Sequence, residues 1–76
     1  MSTERLVQMA NDIAAYFAAE PDHAEAVAGV ASHLKRFWDP SMRRQIVAHE
    51  RSGGAGLAPL AREGVARLAG LDHSPG

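Results

Sequence analysis

Cysteine is absent from all 76 residues. That excludes disulfide staples, thiolate zinc sites and cysteine nucleophiles, and it fits a reducing compartment. Aromatic residues are few: two Phe, one Trp and one Tyr. Neither sign of charge is in large excess, the net being −1. The chain is therefore no global attractor for nucleic acid or anionic membrane, whose binders carry a marked basic surplus. Long hydrophobic runs are missing as well. The longest uncharged stretch near the start, Ile13 to Ala19, is seven alanine-heavy residues, far below the ~20 that a transmembrane helix requires. Met1-Ser2-Thr3-Glu4-Arg5 carries an acid and leads into no signal core, so cytoplasmic residence is the expectation.

What is present is alanine. Fifteen of the 35 apolar residues are Ala, leaving 20 larger ones. One small domain of this size sits near the margin where burial only just offsets conformational entropy, at roughly 1.5 kcal/mol per ordered residue. A thin core is all that 20 sizeable side chains support, which favours a chain that gains stability by docking on something larger. The charge is also unevenly spread. Residues 1–34 set Arg5 against Glu4, Asp12, Glu20, Asp22 and Glu25, a net of −4. Residues 35–51 set Lys35, Arg36, Arg43, Arg44 and Arg51 against Asp39 and Glu50, a net of +3.

Helical spacing dominates, and no segment reads as a strand. Leu6, Met9, Ile13 and Phe17 recur at three, four and four residues, widened by Val7, Ala10 and Ala14. Ser2 or Thr3 caps this first helix, and Glu20-Pro21 ends it, because a residue before proline is pushed out of the helical region. A second helix opens on Asp22-x-x-Glu25, a capping-box variant in which the Asp22 carboxylate accepts from the Glu25 amide. It buries Val27, Val30, Ala31, Leu34 and one of Phe37 or Trp38. Gly29 within it costs about 1 kcal/mol against Ala, and a close helix–helix approach is a reason to keep it. Asp39-Pro40 starts a third helix, with proline at the first position and the aspartate able to cap free amides; Met42, Ile46 and Val47 or His49 face inward. Gly53-Gly54-Ala55-Gly56 is a helix stop and turn. Leu57, Leu60, Ala61, Val65 and Leu68 sketch a fourth helix ended by Gly70. The expected architecture is an all-α bundle of three to four short helices, about 3–19, 22–37, 40–51 and 58–69. These form a single domain over 1–70, with a flexible tail over 71–76.

Independent catalysis is not expected. His23, His33, His49 and His73 show no ligand spacing, and a metal site would need His33 and His49 to converge with a carboxylate. The serines lack a nucleophile elbow, and the glycine run has neither a preceding strand nor a following Gly-Lys-Ser/Thr. No catalytic, metal or cofactor-binding residue is assigned. A bundle this small is also not expected to enclose a pocket of the ~300 Å³ that a small ligand usually occupies. The densest segment is instead Ser32 to Arg44, which joins Phe37, Trp38 and four of the eight basic residues at a helix–turn–helix junction. Neighbouring Phe37 and Trp38 point about 100° apart on a helix, so one serves the core and the other lies near the surface or over Pro40. Two readings stay open: a core anchor with solvated arginines, or a docking site in which Lys35, Arg36, Phe37, Trp38, Asp39, Arg43 and Arg44 meet a partner. Trp and Arg are over-represented among interface hot spots, and arginine grips carboxylates bidentately. A DNA-reading helix-turn-helix is disfavoured by the acidic first third and by an Asp-Pro turn that lacks the usual glycine. A self-associating module, a homodimer when isolated, is the remaining alternative.

The string His33-Leu34-Lys35-Arg36-Phe37-Trp38-Asp39-Pro40-Ser41-Met42-Arg43 follows Leu6-Val7-x-Met9-Ala10-Asn11-x-Ile13-Ala14 and precedes a Gly-Gly, Leu57, Pro59-Leu60 segment. Together they resemble the delta subunit of NAD-dependent formate dehydrogenase, over about residues 5–69. The His-Leu-x-x-Phe-Trp-Asp-Pro-x-Met-Arg block is the most specific part. The resemblance implies a small accessory subunit of a cytoplasmic complex that oxidises formate to carbon dioxide and reduces NAD. It implies an alpha subunit with molybdenum bis-molybdopterin guanine dinucleotide and iron–sulfur clusters. Beta and gamma subunits would carry flavin mononucleotide, the NAD site and further clusters, and the delta subunit no cofactor of its own.

Overall fold

Four helices account for most of residues 2–72, the part of the chain described by this computed structural model: α1 (Thr3–Phe17), α2 (His23–Phe37), α3 (Pro40–Arg51) and α4 (Pro59–Asp72). No strand occurs among the described residues. Each start follows from local chemistry. The Ser2 hydroxyl accepts from the Arg5 amide at 3.2 Å, and Asp22 accepts from the amides of Ala24 and Glu25 at 3.0 and 3.3 Å. Asp39 differs from expectation: it occupies the cap position of α3 but makes no side-chain cap bond. Pro40 at the first helical position has no N–H, so one orphan donor is already gone, and the exposed Asp39 carboxylate stays out of the helix mouth. The first helix ends at Phe17, two residues before the expected Ala19, because the turn into Pro21 begins with the Glu20 amide donating to the Phe17 carbonyl.

Gly70 does not end α4, which runs through it to Asp72. A glycine stop needs positive φ, and among the described residues that conformation occurs only at Gly53, Gly54 and Gly56. Leu71 and Asp72 are thus helical, whereas residues 73–76 of the expected tail, with His73, lie outside the described residues. A methyl group at Gly70 would meet no atom within 4 Å. Gly70→Ala is therefore expected to raise stability by about 0.5–1 kcal/mol, read as a higher urea midpoint, through lower unfolded-state entropy and better helix propensity.

Packing places alanine where helices come closest. On α1 the buried residues are Leu6, Val7, Ala10 and Ala14, while Met9, Ile13 and Phe17 flank the contact. The helical face is therefore rotated from the stripe of largest residues toward the small ones. The α2 and α4 faces repeat the arrangement with Ala26, Val30, Ala31 and Leu34 against Ala61, Val65, Leu68 and Ala69, and this pair makes the broadest helix contact. Gly64 lies at its closest point, directly against Val30. Gly29, by contrast, faces the Phe17 ring of α1. The radius of gyration, 11.2 Å, matches the roughly 11 Å of a close-packed chain of this length. No polar side chain is buried among the described residues.

Polar ties lie at the edges of that apolar core. Asn11 of α1 clamps the loop before α4 in both directions, donating to the Gly56 carbonyl and accepting from the Ala58 amide, each at 2.9 Å. His49 donates through Nε2 to the Ala55 carbonyl at 2.7 Å, and the Gly54 amide (φ 65°) closes α3 on the His49 carbonyl. Gln45 donates to the Thr3 hydroxyl at 2.9 Å, joining α3 to α1. The glycine-rich segment is thus a held turn rather than a loose tether.

Candidate docking site

The α2–α3 junction is shaped by backbone demands before it offers anything to a partner. Pro40 forces Asp39 into extended conformation (φ −62°, ψ 152°), and Trp38 before it is extended too (φ −90°, ψ 142°). Leaving the helix turns the Trp38 indole into the core, where it is 5% exposed. Phe37, the last helical residue, stays on the outside at 66% exposure. The pair therefore divides as the spacing predicts, one ring inward and one outward.

Arg43 reaches back from α3 to the end of α2. Its Nη1 donates to the Trp38 carbonyl at 2.7 Å and to the Lys35 carbonyl at 3.1 Å. These are carbonyls that a helix terminus leaves without intrahelical donors, and a cation also complements the negative end of the helix dipole. Arg43 is thus a clip that sets the angle of the turn. Arg43→Ala is expected to cost about 1.5–3 kcal/mol, the range for hydrogen bonds to charged groups. Arg44→Ala, on the exposed side, should stay within about 0.5 kcal/mol. Thermal melts of the two single variants check the contrast.

Of the seven expected contact residues, Lys35, Arg36, Phe37, Asp39 and Arg44 remain exposed, Arg43 is half-buried and Trp38 is core. Of the exposed ones, Arg36 and Phe37 are in contact and form, with His33, a small knob. The Arg36 guanidinium lies 5.6 Å from the centre of the Phe37 ring, and His33 packs on the same ring at 4.8 Å between centroids. A cation and an imidazole thus hold a solvent-exposed phenyl group in place. The three described histidines do not converge: His23 pairs with Glu63 at 2.8 Å, His33 stacks on Phe37 and His49 holds the loop. Among the described residues no group of three or more His, Asp or Glu is placed to hold a metal ion. Two open grooves flank the bundle. One of about 450 Å³ runs along α3, and one of about 440 Å³ lies between α1 and α2 beside Tyr16 and Phe17. Both exceed the volume expected of so small a bundle, because they are surface channels between helices and not enclosed cavities.

A family model described as NADH-dependant formate dehydrogenase delta subunit FdsD matches residues 5–65. The chain belongs to that family. No curated protein and no solved structure matches it. The matched span of this formate dehydrogenase delta-subunit family contains the whole of α2, the junction, α3 and the glycine turn, and it stops at Val65 within α4. Every residue of the knob and the Arg43 clip therefore falls inside it.

Sequence periodicity does not reveal Asn11, Gly64 or the α1–α2 groove. Asn11 does leave a signal, since an amide in mid-helix beside an apolar stripe is disfavoured by propensity and needs a partner to keep it there. Gly64 resembles Gly29 in sequence, and only packing tells them apart. Among the described residues no helix is long and apolar enough to cross a membrane.

Proposed function

We propose that this chain is a non-catalytic accessory subunit of a cytoplasmic, molybdenum-containing formate dehydrogenase. It docks on the alpha subunit through the Phe37 knob and supports assembly or stability of the complex that oxidises formate and reduces NAD. The family match over residues 5–65 carries this reading. The geometry supports it: an exposed phenyl ring with Arg36 alongside has the aromatic and arginine chemistry enriched at protein interfaces. On this reading the molybdenum bis-molybdopterin guanine dinucleotide, the iron–sulfur clusters and the flavin mononucleotide belong to the alpha, beta and gamma subunits. A chain without cysteine offers no thiolate for a cluster.

The effect of such a subunit is a mass-action one. A component that binds only the assembled state stabilises that state by about 2.7 kcal/mol at a hundredfold excess over its dissociation constant. The test is recovery of formate dehydrogenase on a tagged copy of this chain. Phe37→Ala with Arg36→Ala is expected to lower recovery of intact complex and formate-dependent NAD reduction in the eluate, while helicity by circular dichroism stays unchanged. Full recovery with the double variant would remove the knob from the interface. Trp38 and Arg43 are unsuitable for this purpose, because both hold the fold.

A further inference from the structure

α3 has one wholly buried side chain, Ile46, flanked by half-buried Met42 and Val47, while Pro40, Ser41, Arg44, Ala48 and Arg51 are exposed. Along it runs the groove of about 450 Å³, lined by the apolar Pro40, Val47, Ala48 and Ala69 of α4 and by Arg43, Arg44 and Arg51. Neither Arg44 nor Arg51 has an ion-pair or hydrogen-bond partner among the described residues. They stand seven residues apart, two helical turns, which is about 10.5 Å along the axis. The surrounding segment, residues 35–51, carries the net +3 of an otherwise acidic or neutral chain.

We infer that this groove seats an acidic segment of a partner polypeptide, with small apolar side chains against Val47, Ala48 and Ala69 and two carboxylates on Arg44 and Arg51. The inference rests on the accessory-subunit reading and adds the chemistry of what is bound. Charge complementarity selects the occupant, because two unpaired guanidinium groups on a shallow apolar floor match carboxylates in bidentate geometry. A helix with acids seven residues apart spans the same distance as the two arginines. Nucleic acid fits less well: the groove has no aromatic platform on which a base could stack, and residues 1–34 carry −4.

The experiment replaces Ala48 by a benzophenone amino acid in the full chain within the complex and maps the photo-adduct by mass spectrometry. The expected adduct joins a formate dehydrogenase subunit at a segment with two Asp or Glu residues about seven apart. An adduct to a second copy of this chain, to a neutral segment or to no polypeptide overturns the inference. In parallel, Arg44→Glu with Arg51→Glu should reduce co-purified enzyme by about tenfold or more, and Arg44→Gln with Arg51→Gln should reduce it in the same direction. Wild-type recovery with both pairs overturns it. If the unaltered chain recovers no formate dehydrogenase at all, the accessory reading fails, and a peptide probe then decides this inference alone. That probe is a fluorescent helix of roughly 15 residues with two glutamates seven apart, compared with its glutamine counterpart. Tighter binding of the glutamate peptide that vanishes in Arg44→Glu with Arg51→Glu supports the groove. Equal binding of both peptides, or tighter binding of a short DNA duplex, rejects it.

Discussion

Trp38→Ala should lower the melting temperature of the isolated chain by at least about 12 °C. Removing a buried Trp side chain costs about 3–5 kcal/mol, and a domain of this size has roughly 4–11 kcal/mol in total. Each kcal/mol moves the midpoint by about 4–8 °C in so small a domain. The indole is 5% exposed and belongs to the cluster formed by Leu6, Leu34, Ile46 and Leu68. A core in which six of the fourteen buried residues are alanine has few large groups that can move into the void. Phe37→Ala, one residue away and 66% exposed, should change stability by no more than about 0.5 kcal/mol. Thermal or urea unfolding of the two variants side by side measures the difference. Similar losses in both would show that the rings share the core rather than divide between core and surface.

Gly64→Ala is expected to destabilise the chain even though alanine is the better helix former. Propensity alone favours the substitution by about 1 kcal/mol. The added methyl group, however, would fall onto Val30, with the Val30 Cβ 2.7 Å away. Val30 is fully buried, and its Cβ does not move when the side chain changes rotamer, so the backbones of the two helices must shift apart. Overpacking of this kind costs about 1–3 kcal/mol. In a Val30→Ala background the two changes should be less than additive, because the smaller side chain makes room for the methyl group. A double-mutant cycle of unfolding free energies checks this, and full additivity would place the closest approach of α2 and α4 elsewhere. At Gly29 the same substitution should be milder, because the obstacle is the partly exposed Phe17 ring, which can swing aside.

The helices, their order and most of the inward set of α2 and α4 are legible in the sequence because they follow from local chemistry; Val27 is the exception, half-buried where Ala26 beside it is buried. Spacing, proline and side-chain caps each act within a few residues. The Phe37–Trp38 division is legible only as an outcome: helical spacing puts one ring inward and one outward, but Trp38 reaches the core because it has left the helix ahead of Pro40. What escaped depends on contacts between distant residues. Asn11 meets Gly56 and Ala58, 45 and 47 positions later, and no local pattern announces that pairing. Arg43 looks like one more surface cation until the backbone turns its guanidinium onto the Lys35 and Trp38 carbonyls. Met9, Ile13 and Phe17 look like the centre of the α1 face, yet they are half-buried while Ala10 and Ala14 are buried. Large side chains mark where a core is, and small ones mark where its helices touch. Gly70 shows the reverse limit: as a letter it reads as a stop, but a stop also requires a left-handed turn, and Gly70 does not adopt one.

One buried side chain is slender anchorage for a twelve-residue helix, and that has a consequence for how the molecule breathes. α3 rests on Ile46 and the half-buried Met42 and Val47, with the Arg43 clip at one end, the Gln45–Thr3 bond midway and the His49 tie near the other. Its backbone amides therefore open to solvent exchange ahead of those in α2 and α4. A binding partner laid along α3 would close that opening first, so occupancy of this small protein registers as slowed exchange in one helix.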